Sequence, residues 1–86
     1  MESILLNKYE LENKIYKFIK EGNRELDNLN GKLLLYEEAE LESFDLIMLL
    51  SDIEEEFGIQ ISMEKMNGVR TIHDLVNYIL DNSQKV

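Results

Sequence analysis

The chain has 86 residues and carries nine Lys and Arg against eighteen Asp and Glu, a formal charge of −9 with one His. That length holds one hydrophobic core, so residues 1–86 are expected to form a single domain. A large acidic surplus argues against contacts with nucleic-acid phosphates and anionic membrane surfaces, and the absence of Cys removes disulfides, thiolate metal sites and cysteine nucleophiles.

No apolar run approaches the roughly 18 residues that a membrane span needs, and the stretch Met1 to Phe18 has acids mixed into it with no cleavable-signal pattern. A cytoplasmic location, no membrane insertion and a monomeric state are the expectations. With 44% apolar residues the chain is globular, and cations or basic proteins suit its charge.

Proline is absent, and four glycines punctuate the chain at positions 22, 31, 58 and 68. From Lys8 to Glu21, the residues Leu11, Ile15, Phe18 and Ile19 make one stripe of an amphipathic helix, with Gly22 placed to stop it. Gly22 to Glu42 is long for a helix–helix connection, which usually takes about 2–8 residues. Its leucines, Leu26, Leu29, Leu33, Leu34 and Leu35, predict that it packs back on the core.

A second helix is predicted from Phe44 to Phe57, with Leu46, Leu49, Leu50, Ile53 and Phe57 inward and Gly58 past its end. One short helical turn fits Ser62 to Met66. The last helix spans Ile72 to Asn82, with Ile72, Leu75, Val76 and Ile79 inward and Thr71 with Asp74 as a capping box. Strands have little support, because nothing alternates near the apolar run Lys32 to Tyr36 to pair with it. The predicted fold is all-α: three main helices and a short one around one core, with a long first loop.

The second helix carries the functional signal. Opposite its core stripe lie Phe44, Ile47, Met48 and Ser51 at i, i+3, i+4 and i+7, an apolar strip suited to a partner. No Lys or Arg occurs from Leu33 to Glu64, a span holding ten acids that include Glu42, Asp45, Asp52 and Glu54-Glu55-Glu56. Acids in the last turn of a helix oppose its macrodipole, so that run is locally unfavourable and reads as part of a recognition surface. Ser43 stands at the expected N-cap, where serine is common. A phosphoryl group there would lie beside the unpaired N–H groups and positive end of the helix.

Leu41-Glu42-Ser43-Phe44-Asp45, the apolar helix after it and Ile53-Glu54-Glu55-Glu56-Phe57-Gly58-Ile59-Gln60-Ile61 resemble an acyl carrier protein. The resemblance continues without a gap through Met63-Glu64-Lys65-Met66 and Val69-Arg70-Thr71-Ile72 to Tyr78-Ile79, covering roughly residues 33 to 80. It implies a small four-helix carrier bundle in which a phosphopantetheinyl transferase attaches 4′-phosphopantetheine from coenzyme A to Ser43. The arm's thiol would carry acyl intermediates as thioesters between biosynthetic enzymes, and the chain would have no catalytic residues of its own. The helix after the serine would be the recognition helix, with Glu42, Phe44, Asp45, Ile47, Met48, Ser51, Asp52, Glu54 and Glu55 facing basic docking patches on acyl- or aminoacyl-loading and transfer enzymes.

Several departures point to a specialised pathway, fatty-acid-like, polyketide or related. Glu42 stands where the family usually has Asp, Phe44 where Leu is commonest, and Met48 and Ser51 replace an acid and an apolar residue common on the recognition face of fatty-acid carriers. Phe44 also resembles D-alanyl carriers, so an aminoacyl or peptidyl carrier is the first alternative. An unmodified acidic helical adaptor is the second. A Ser43–His73 hydrolase lacks the Gly-x-Ser-x-Gly elbow. Asn28, Asn30, Gly31 and Glu37 match only part of a calcium loop, with Leu26 at the first ligand position, so no metal site is expected.

Overall fold

A computed structural model describes residues 7–27 and 29–85. The start of the Met1–Phe18 stretch, before Asn7, and Asn28 of the calcium-loop comparison lie outside the described residues. Three helices form the body: α1 (Lys8–Gly22), α2 (Ser43–Phe57) and α3 (Ile72–Asp81), with a 3-10 turn at Met66–Gly68. This is the mainly helical fold that the apolar stripes predict. Leu11, Ile15 and Ile19 of α1, Leu46, Leu49, Leu50 and Ile53 of α2, and Ile72, Leu75, Val76 and Ile79 of α3 converge in one core.

The helix ends follow local chemistry. Asn7 opens α1 by accepting from the N–H groups of Tyr9 and Glu10, at 2.8 and 3.3 Å. At α3 the Thr71 hydroxyl accepts from Asp74 N–H at 3.0 Å, and the Asp74 carboxylate accepts from Thr71 N–H at 3.2 Å, as the capping-box spacing predicts. Gly58 ends α2 in the left-handed region with φ 66°, a conformation that costs a residue with a Cβ more than it costs glycine.

The long connection packs as its leucines predict. Leu33, Leu35 and Ala39 are buried, and Leu26 and Leu29 lie partly covered against the core. Its backbone is stitched to the start of α3. Leu35 N–H donates to Arg70 O at 2.8 Å, Ile72 N–H to Leu33 O at 3.1 Å and His73 N–H to Gly31 O at 2.7 Å. The long loop thus places the first turn of α2 and the first turn of α3 around a shared scaffold.

Four local expectations are corrected. The helix over 8–21 continues through Gly22, and Asn23 is its C-cap, because an exposed glycine lowers helix propensity without ending a helix. The short turn expected at Ser62–Met66 lies later, at Met66–Gly68.

Strands do form. β1 (Ile59–Ile61) pairs antiparallel with β2 (Ser83–Lys85), Gln60 opposite Gln84, and Leu34 makes an isolated bridge with Thr71. Buried Ile59 and Ile61 anchor the ribbon on the core, so pairing needs little contribution from the polar second strand. Finally, the N-cap of α2 is Glu42, not Ser43, which occupies the first helical position.

Candidate functional site

Ser43 is exposed at the positive end of a 15-residue helix. The first bond of that helix runs from Leu46 N–H to Glu42 O at 3.0 Å, so the N–H groups of Ser43 and Phe44 precede the intrahelical ladder. Asp45 fixes the turn from below: its half-buried side chain accepts from Glu42 N–H at 3.0 Å. This arrangement has two consequences. The serine hydroxyl, released from capping duty, points its chemistry toward solvent, and a phosphodiester on it would meet helix N–H groups and the dipole's positive end. The residues therefore fit a phosphopantetheine group on Ser43.

Helices α1 and α2 run antiparallel. Phe18, Ile19 and Asn23 at the end of α1 line an open groove of about 510 Å³ with Ala39, Leu41 and Asp45 beside the start of α2. At the other end, Lys14 of α1 pairs with Glu56 of α2 at 2.8 Å. That contact, with smaller contributions from Asp52 and Glu21, holds the Lys14 ammonium above its ordinary range.

The residues singled out on α2 divide by what they touch. Phe44, Ile47 and Met48 are 68%, 50% and 43% exposed, and Ser51, Asp52 and Glu55 are exposed beside them. Glu42 is exposed at the N-cap. Glu54 is half-buried, and its carboxylate accepts from Ile61 N–H at 2.8 Å, tying β1 to the end of α2. The acidic run is thus less unfavourable than its position in the last turn suggests, because Glu54 and Glu56 each have a donor. The pairings of Glu56 with Lys14 and of Glu54 with Ile61 N–H had no place in the sequence reading. Both contacts are tertiary, and only the antiparallel packing of α1 on α2 and the turn at Gly58 bring them together.

His73 is exposed at the start of α3. Among the described residues no group of three or more His, Cys, Asp or Glu is arranged to hold a metal ion, and no helix is long and apolar enough to cross a membrane.

The serine at a helix start, the exposed strip after it and the helical scaffold define a carrier domain. Comparison with known families agrees. The family model described as "Phosphopantetheine attachment site" matches residues 34–79, more than half of the chain, and the chain belongs to that family. Its relatives include the acyl carrier protein of Rickettsia bellii, 26% identical over 70 residues that cover 80% of this chain and 86% of that one. The acyl carrier protein of Cyanophora paradoxa is 32% identical over 56 residues, 65% of this chain and 54% of the other. That of Streptococcus thermophilus is 41% identical over 44 residues, 51% and 57% of the two chains. The chain therefore spans little more than half the length of the last two.

The protein is a phosphopantetheine-carrying member of the acyl carrier family, a non-catalytic family whose members are modified by a phosphopantetheinyl transferase. Residues 34–79 cover α2, β1 and nearly all of α3, and α1 lies outside the match.

Proposed function

We propose that Ser43 is the attachment point and that the protein carries thioester-bound acyl intermediates between the enzymes of a specialised, fatty-acid-like or polyketide pathway. The observation that carries this reading is an exposed serine hydroxyl at the first position of α2, free of capping duty, with Asp45 holding the turn beneath it. In that role the arm's terminal thiol supplies the thioester chemistry. The chain's own residues present Ser43, accommodate the phosphate at the helix N-terminus, and offer the exposed face of α2, from Phe44 to Glu55, to partner enzymes. Loading and transfer enzymes are the partners that this reading implies. Phe44 supports a second reading of the cargo, an aminoacyl group in place of an acyl chain.

Intact-protein mass spectrometry tests the assignment. Wild type and Ser43→Ala are incubated with coenzyme A, magnesium and a broad-specificity phosphopantetheinyl transferase. A phosphopantetheine mass gain in the wild type alone is the expected result. No gain in the wild type under conditions that modify a control carrier, or an equal gain in both proteins, would refute Ser43 as the site.

A further inference from the structure

Glu40 is the one non-glycine residue with a positive φ among the described residues, at 59°. In that left-handed region a Cβ crowds the backbone, and glycine is the residue that adopts it at little cost. The fold pins this geometry from both sides. Ala39 N–H donates to Leu34 O at 2.9 Å, and Leu41 N–H donates to Leu35 O at 3.0 Å. Ala39 is buried and Leu41 packs against the core, so Glu40 cannot relax without moving both neighbours. Within the described residues nothing offsets the strain. Glu38, in the same turn, uses its carboxylate to accept from Leu34 N–H at 2.8 Å. Glu40 is exposed, and its carboxylate has no hydrogen bond or ion pair with a described residue. Strain kept without an internal contact to compensate it points to a role for the side chain outside the fold.

Glu40 stands three residues before Ser43, so no more than about 11 Å separates their Cα atoms. An enzyme acting on the far end of the arm has no need to approach that position. The transferase brings its active site onto the Ser43 hydroxyl itself and has to cover the residues around it. Glu40 also lines the open groove beside the start of α2, where Glu21 and Asp45 are the other charged residues and no Lys or Arg takes part. We propose that Glu40 is a specificity-determining residue for the transfer to Ser43, its carboxylate receiving a cationic side chain of the transferase at the mouth of this groove. The contact lies in the connection before α2 and not on that helix. The inference rests on the carrier reading of Ser43, and it makes the left-handed glutamate a position where stability is lower than glycine would give and recognition is the gain.

Two variants separate the carboxylate from the backbone. Thermal midpoints are measured for wild type, Glu40→Gly and Glu40→Gln. KM and kcat for modification by a broad-specificity transferase, with coenzyme A and magnesium, are then followed by intact mass at low and high salt. Glu40→Gly is expected to raise the midpoint by about 2–5 °C, because it removes the strain. Glu40→Gln keeps the strain and leaves the midpoint where it is. Both variants raise KM about threefold at low salt, change kcat by less than about twofold, and lose part of the wild type's salt dependence.

The proposal is overturned if either variant keeps the wild-type KM, since both lack the carboxylate. A midpoint that does not rise in Glu40→Gly overturns it as well, by removing the strain from which it starts. A wild type that gains no phosphopantetheine beside a working control fails earlier and differently. It removes the carrier reading itself, and this inference with it.

Discussion

Single residues set the two helix starts on which the site depends, and at both of them a carboxylate three positions into the helix does the fixing. Asp45 bonds back to Glu42 N–H, and Asp74 to the N–H groups of Thr71 and Arg70. Bonding to the Thr71 and then the Arg70 N–H stabilises the charged form and holds the Asp74 carboxyl below the usual carboxylate value. The unfolded chain therefore takes up this proton more readily than the folded one. Asp74's contribution is fully present above about pH 4 and is lost as pH falls through the lower folded value. Denaturant unfolding between about pH 6 and about pH 3 should show Asp74→Asn losing less stability on acidification than wild type. An equal loss in both would show that other carboxylates carry the acid sensitivity.

The same comparison explains a misreading at this scale. Ser43 and Glu42 both precede an apolar helix, and residue preference alone favours serine as the cap. The decisive signal is spacing. Glu42 and Asp45 stand three apart, as Thr71 and Asp74 do, and an acid at the third helical position can reach back to the N-cap N–H.

Elements were legible wherever a face is long enough to repeat. Leu11, Ile15 and Ile19 mark α1 because successive turns of helix return them to one side, and α2 and α3 carry equally regular inner stripes. The β1–β2 ribbon was not legible for the opposite reason. Three residues give one alternation at most, and Ser83-Gln84-Lys85 has no apolar residue to signal a buried face. Its pairing depends on where the turn at Gly58 and the end of α3 deliver the two segments. The exposed strip on α2 could be read from spacing, but the partners of Glu54 and Glu56 could not, since they lie on other elements.

The α1–α2 contact is open to a direct test. A double-mutant cycle on Lys14 and Glu56, using Lys14→Met and Glu56→Gln, should give a coupling of about 0.5 kcal/mol that shrinks in high salt, as partly exposed ion pairs do. A coupling indistinguishable from zero at low salt would leave the antiparallel packing to Ile15, Ile19 and their apolar neighbours alone.

For the whole molecule, one core supports every part of the site. Leu49 and Ile53 are fully buried in the middle of α2, directly beneath the face that is exposed to partners. Ile53→Ala should cost about 2–5 kcal/mol in chemical denaturation, a large fraction of the stability of a small domain. Exposed substitutions such as Phe44→Ala should change it by no more than about 0.5 kcal/mol. A near-neutral Ile53→Ala would mean that the interior relaxes around the missing atoms. The division follows from size: a domain of this length covers only one side of α2, and its other side remains for recognition.

Charge acts at this scale as well. The surplus of acids is concentrated from Leu33 to Glu64, yet part of it is spent inside the fold, on backbone donors and on Lys14. Net charge and composition therefore indicated the character of a partner but not which carboxylates also serve the fold.

The central claim is that one serine, held at the first position of α2, carries the arm. It is tested most directly by treating the protein with transferase and coenzyme A, digesting it and locating the added group by tandem mass spectrometry. Phosphopantetheine is expected on Ser43 in the fragment containing Glu42-Ser43-Phe44, with Ser51, Ser62 and Ser83 unmodified. An arm found on any other serine, or none anywhere beside a working control, would contradict it.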